Sequence, residues 1–203
     1  MSDTDAAAIA TRLHDYHMVH GFVHETKFTD NTLTTIKLTT GNGDSALWTG
    51  MYLGAEAYRY AATGDAAVRA NIDVLLGRVK DLAYAAPSGF LVRTIFPTDS
   101  DYWLNFKSEE EHSGFFPIHY GGQDCVWVAH PTRDQYSGVF FGLGVTYDLI
   151  SDSTVRDICR DTITHLIRGL IDHAWVMGSP GKPFQETYVV RPDHMLSVLQ
   201  LGK

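Results

Sequence analysis

The sequence predicts a mainly α domain of stacked αα-hairpins. Three observations predict it. Apolar and aromatic residues recur at three- and four-residue spacings along five stretches. Two pairs of those stretches are joined by links so short that the helices must be antiparallel neighbours. The two hairpins formed in this way also resemble each other in sequence.

Residues 5–20 are the first periodic stretch, with Ile9, Leu13, Tyr16 and Val19 on one side. Residues 21–43 break the pattern, and Gly41-Asn42-Gly43 marks a loop. Residues 44–62 predict a helix that Asp44 can cap, with Leu47, Met51, Ala55 and Tyr58 on one face. Thr63-Gly64-Asp65 ends that helix and caps the return helix over 66–85, which carries Val68, Ile72, Leu75, Leu76, Val79 and Leu82. Pro87-Ser88-Gly89 stops it. Phe90 to Phe96 has the composition of a short strand, so there is room for one short hairpin of strands. Residues 97–132 read as a long irregular loop. It holds Tyr102, Trp103, Phe106, Phe115, Phe116, Tyr120 and Trp127, too many aromatics for a disordered segment.

A second hairpin follows, over 134–150 and from Ser151-Asp152 to about Met177, with Leu166, Ile167, Leu170, Ile171 and Trp175 on its apolar side. Gly178-Ser179-Pro180-Gly181 ends it, and a short helix runs from Asp193 to Leu201. The chain is thus one domain, 1–203. It divides into an N-terminal helix and loop (1–43), a first hairpin (44–86), the long loop (87–133), a second hairpin (134–177) and a C-terminal segment (178–203).

Thr49-Gly50-Met51-Tyr52 answers to Ser137-Gly138-Val139-Phe140, and Gly64-Asp65-Ala66-Ala67-Val68-Arg69 to Ser151-Asp152-Ser153-Thr154-Val155-Arg156. Repeated hairpins bury their faces on one another. Glycine within a helix costs about 1 kcal/mol against alanine. Gly50, Gly54, Gly138, Gly142 and Gly144 therefore predict close helix approach.

Composition excludes some classes. The 203 residues carry a net charge of -8, with 16 Lys and Arg and no basic stripe, so a nucleic-acid partner is not expected. No apolar run reaches the ~18 residues of a membrane helix. The start, Met1-Ser2-Asp3-Thr4-Asp5, is not a signal peptide, and compartment stays open. Cys125 and Cys159 form no CxxC pair, and no GxxxxGK or GxSxG motif is present. No cofactor is indicated.

Leu47-Trp48-Thr49-Gly50-Met51-Tyr52-Leu53-Gly54-Ala55 with Thr63-Gly64-Asp65, and Arg133-Asp134-Gln135-Tyr136-Ser137-Gly138-Val139-Phe140-Phe141-Gly142, resemble the hairpins of six-hairpin (α/α-toroid) proteins. That superfamily holds glycoside hydrolases, polysaccharide lyases and uncharacterised relatives. The resemblance covers roughly residues 44–177. It implies a partial α/α toroid, because a closed one needs on the order of 300 residues. The expectation is a fragment of a longer protein, completed by the rest of its own chain or by a homo-oligomer.

The resemblance also implies a glycan cleft at one end of the helices, lined by the starts of both hairpins and the long loop. Asp44, Asp124, Asp134 and His119 are then the catalytic candidates, since glycan cleavage needs a carboxylic acid, a facing carboxylate or a histidine base. Trp48, Arg93, Tyr120, Trp127, His130, Arg133 and Tyr136 are the substrate-binding candidates. Each has a plainer reading. Asp44 and Asp134 sit where N-caps sit, Trp48 and Tyr136 suit a core, and Arg93 and Arg133 suit ion pairs. His14, His17, His20 and His24 recur at helical spacings without a metal signature, so no metal is assigned. His112, His119 and His130 lie in the aromatic loop, where one could serve as acid or base. Glu109-Glu110-Glu111 reads as a solvated acidic turn.

Overall fold

The computed structural model describes residues 3–202. Its elements, in chain order, are α1 (Asp3–Tyr16), β1 (Glu25–Phe28), β2 (Ile36–Thr40), α2 (Ser45–Thr63), α3 (Ala66–Tyr84), β3 (Ile95–Pro97), α4 (Trp103–Glu110), β4 (Phe115–Tyr120), β5 (Gln123–Val128), α5 (Arg133–Leu149), α6 (Ser153–Asp172), β6 (Val176–Ser179), β7 (Lys182–Thr187) and α7 (Pro192–Leu201). Helices make up 56% of the chain, and seven strands in three small antiparallel sheets make up 17%. The mainly α, partial-toroid expectation is therefore corrected to a mixed α/β fold.

The largest difference is at 97–132, expected as an irregular loop. Here β3, β5 and β4 form a three-stranded antiparallel sheet in the order β3-β5-β4. Gly121 and Gly122, at φ 61° and 83°, turn β4 into β5, so Tyr120 pairs with Gln123. Two consecutive left-handed residues are what a two-residue hairpin turn requires, and glycine supplies them without strain. Side chains on β5 alternate between faces. Cys125 and Trp127 join the main core. Val126 and Val128 join Phe96 and Phe106 in a second, smaller one. The Phe96 and Phe106 rings stack at 3.9 Å. The loop aromatics thus close a small core under α4.

The helices follow the periodicity more closely. Gly64 at φ 66° ends α2, and Asp65 accepts the Ala67 amide at 2.7 Å to start α3. α2 lies along α5, α3 along α6, and each hairpin packs within itself. Gly50, Gly138 and Gly142 sit where α2 and α5 touch. A Cβ on Gly50 would lie 2.6 Å from Val139 N, and one on Gly138 2.7 Å from Leu47 Cα, so only glycine permits this contact. α6 ends sooner than expected. Ala174 and Trp175 turn left-handed (φ 53° and 63°), and the chain goes on into the β6–β7 hairpin. The first helix also ends early, at Tyr16, and His20 adopts φ 59° in the turn that follows. Both cysteines are free and buried. Among the described residues no helix is long and apolar enough to cross a membrane.

Candidate functional site

The N-terminal ends of α2 and α5 meet, and buried polar side chains fix them together. Gln135 sits three residues past Thr132, and its Oε1 accepts the Thr132 amide and hydroxyl, both at 2.7 Å. Its Nε2 donates to Gly43 O at 3.1 Å and to Asp44 Oδ1 at 3.0 Å. Asp44 precedes α2, yet its side chain caps no helix amide. Its carboxylate is instead turned across to α5.

Arg93 closes the same corner. Its backbone N–H donates to Val128 O and its carbonyl accepts from Ala46 N, both at 2.9 Å, which ties β5 to the start of α2. Its side chain donates to Gly43 O at 2.8 Å and Ser113 Oγ at 3.1 Å, and lies 3.8 Å from Glu110 Oε2. Ser113 in turn donates to Glu110 at 3.0 Å. Glu109 accepts from Gly41 N at 2.7 Å and from the Asn42 amide. The solvated acidic turn expected at 109–111 is thus corrected. Glu110 is buried against Arg93, Glu109 holds the loop before α2, and only Glu111 is exposed.

His130 stands at the mouth of this corner with φ 64°, a conformation disfavoured for any residue with a Cβ. Its Nδ1 is buried without a partner. Desolvation, then Arg93, His112 and Lys182, lower its proton affinity, and Glu186 opposes them. The ring is therefore neutral at neutral pH, with its lone pair free to take a proton. His112 reaches Ser113 Oγ at 3.3 Å. Arg133 donates to Thr187 O at 2.8 Å and pairs with Glu186 at 3.1 Å, bringing β7 to the rim.

Four of the sequence candidates, Asp44, Arg93, His130 and Arg133, thus gather at one rim. Asp134 is the second residue of α5, exposed, and not its N-cap; Thr132 holds that position. The others lie elsewhere, and the expected single rim is corrected for them. His119 and Asp124 pair with each other at 3.2 Å on the exposed β4–β5 turn. Asp124 is four residues up β5 from Val128, roughly 13 Å at ~3.3 Å per residue. Tyr120 donates to Asp81 at 2.6 Å, accepts from Arg78, and has its phenol pushed up to about 12, first by burial. Trp127 is buried and stacks on Phe116 at 4.4 Å. Tyr136 is fully buried, and its oxygen accepts the Leu91 amide at 3.1 Å. Trp48 lies one turn along α2 from Asp44, in a separate groove with His17, His24 and Met51.

Gln135, Ser113, Lys182 and Glu186 are not among the sequence candidates, and Glu109 and Glu110 enter there only as part of an acidic turn. For Gln135 a signal existed, because Thr132-x-x-Gln135 is the spacing of a capping box. Among the described residues, no three His, Cys, Asp or Glu side chains come together as a metal site would need. Comparison with family models, with curated proteins and with solved structures found no match.

Proposed function

We propose that this domain is a carbohydrate-active protein that takes an acidic glycan at the rim where α2 and α5 begin, with His130 as its base. One observation carries the reading. Burial first, and then Arg93, His112 and Lys182, disfavour a proton on His130, and the cations Arg93 and Lys182 are also the groups that would attract a ligand carboxylate. A neutral imidazole beside a bound carboxylate is suited to elimination at a uronic acid. His130 takes the proton alpha to the carboxylate, the electron pair forms the new C=C bond, and the glycosidic C–O bond breaks. The departing oxygen takes a proton from water. The ligand class is carried over from the sequence resemblance of the α2 and α5 starts alone, not from the fold.

Hydrolysis between two facing carboxylates has less support. Asp124 stands on a different edge of the molecule, and Asp44 is engaged by Gln135. A second reading, a glycan-binding module without turnover, is favoured by the engagement of Arg93 and Arg133 with their own chain. Incubating the chain with uronate-containing and neutral polysaccharides tests both. Ultraviolet absorbance reports new unsaturated ends, and a pull-down reports binding. Unsaturated ends from a uronate polymer, lost in His130→Ala, are the expected result. Binding without product selects the module, and neither binding nor product refutes the carbohydrate reading.

A further inference from the structure

A second site lies on the other side of α2. An open groove of about 650 Å³ runs between α1, β1 and the outward face of α2. Trp48 and Met51 are each 40% exposed along it, and Leu13, Val23 and Ala55 complete an apolar wall. Tyr52 also lines it, held by the Asn71 amide at 3.1 Å.

The polar lining of the groove is His17, His24, Glu25, Thr26 and the Tyr52 hydroxyl. His17 Nδ1 lies 3.1 Å from His24 O and 3.2 Å from Thr26 Oγ1. His24 is 1% exposed, and neither of its ring nitrogens has a partner. A neutral imidazole buried in this way has an unused lone pair, which is costly unless a donor meets it. Glu25 adds a carboxylate, and none of the residues lining the groove is Lys or Arg. An apolar wall with an exposed indole, one carboxylate and no cation in its lining is complementary to an organic cation.

We propose that this groove binds a small organic amine. Its ammonium lies between Glu25 and the face of Trp48, while its apolar body rests on Leu13, Met51 and Ala55. The site is independent of the glycan reading and shares no residue with the His130 rim.

Calorimetric titration of the full chain with phenethylamine at neutral pH tests this, with phenethyl alcohol and phenylacetate as controls. Saturable binding of the amine is expected, with the alcohol weaker and the anion absent. Trp48→Ala and Glu25→Gln should each weaken the amine at least about fivefold, the scale of one cation–π or charge contact. Asp124→Ala, on the far β4–β5 turn, should leave it unchanged. Trp48 and Glu25 are both exposed, so both variants keep the fold, which their melting curves check. Binding of the alcohol as tight as that of the amine overturns the proposal. So does wild-type affinity in both variants, and so does an amine titration without saturation.

Discussion

His24 ties the stability of the domain to pH. Its ring is fully buried beside Phe96, at 5.8 Å in an edge-to-face arrangement, and neither nitrogen finds a partner. Burial, and then the neighbouring His20, push its pKa from 6.5 down to about 3, against the pull of the Asn42 side chain, which stands near the ring without reaching hydrogen-bond geometry. In the unfolded chain the ring titrates near 6.5. Between those two values the unfolded state binds a proton that the folded state refuses, so stability falls as pH falls and is flat above neutrality. At about 1.36 kcal/mol per unit, going from pH 7 to pH 5 removes about 2 kcal/mol through this one residue. Urea unfolding followed by circular dichroism at pH 7, 6 and 5 measures it, with His24→Phe as the comparison. The variant should be about 2 kcal/mol less sensitive to this change than the wild type. It keeps a residual slope, because His20 and His130 are also shifted downward. Equal pH slopes for the two proteins would refute the claim that His24 stays neutral in its site.

Three further outcomes follow from particular contacts. Gly138→Ala pushes a Cβ onto the α2 backbone and should destabilise the fold by about 1–3 kcal/mol. Gly77→Ala, on α3 with open space around it, should stabilise by about 0.5–1 kcal/mol. Thermal melts of the two variants must move in opposite directions if close α2–α5 approach is the reason for these glycines. Arg93→Met leaves the Glu110 side chain, 5% exposed, without its cation and should cost about 3 kcal/mol. Adding Glu110→Gln should recover part of that loss; a strictly additive double variant would show that the pair does not interact.

The helices were legible because their apolar spacing and their punctuation agree. Thr63-Gly64-Asp65 marks both the end of α2 and the cap of α3, as the structure has it. The sheets were less legible for a physical reason. β5 does not alternate in burial, since it is buried on both sides, between the main core and the Phe96–Phe106 core. The Gly121-Gly122 pair was the available turn signal. The polar corner was legible only in part. Arg93, His130, Arg133 and Asp44 come from segments as far apart as β2–α2 and β5–α5, and only the fold brings them together. Glu110 looked solvated because its burial depends on Arg93, seventeen positions earlier in the chain.

The proposed function rests on His130 at the rim rather than on His119 at the β4–β5 turn. The most direct test is turnover of a uronate polymer by His130→Ala and His119→Ala, each checked for folding by its melting curve. The expected result is loss of unsaturated product in His130→Ala and wild-type yield in His119→Ala. Wild-type yield in His130→Ala would contradict the assignment of the site.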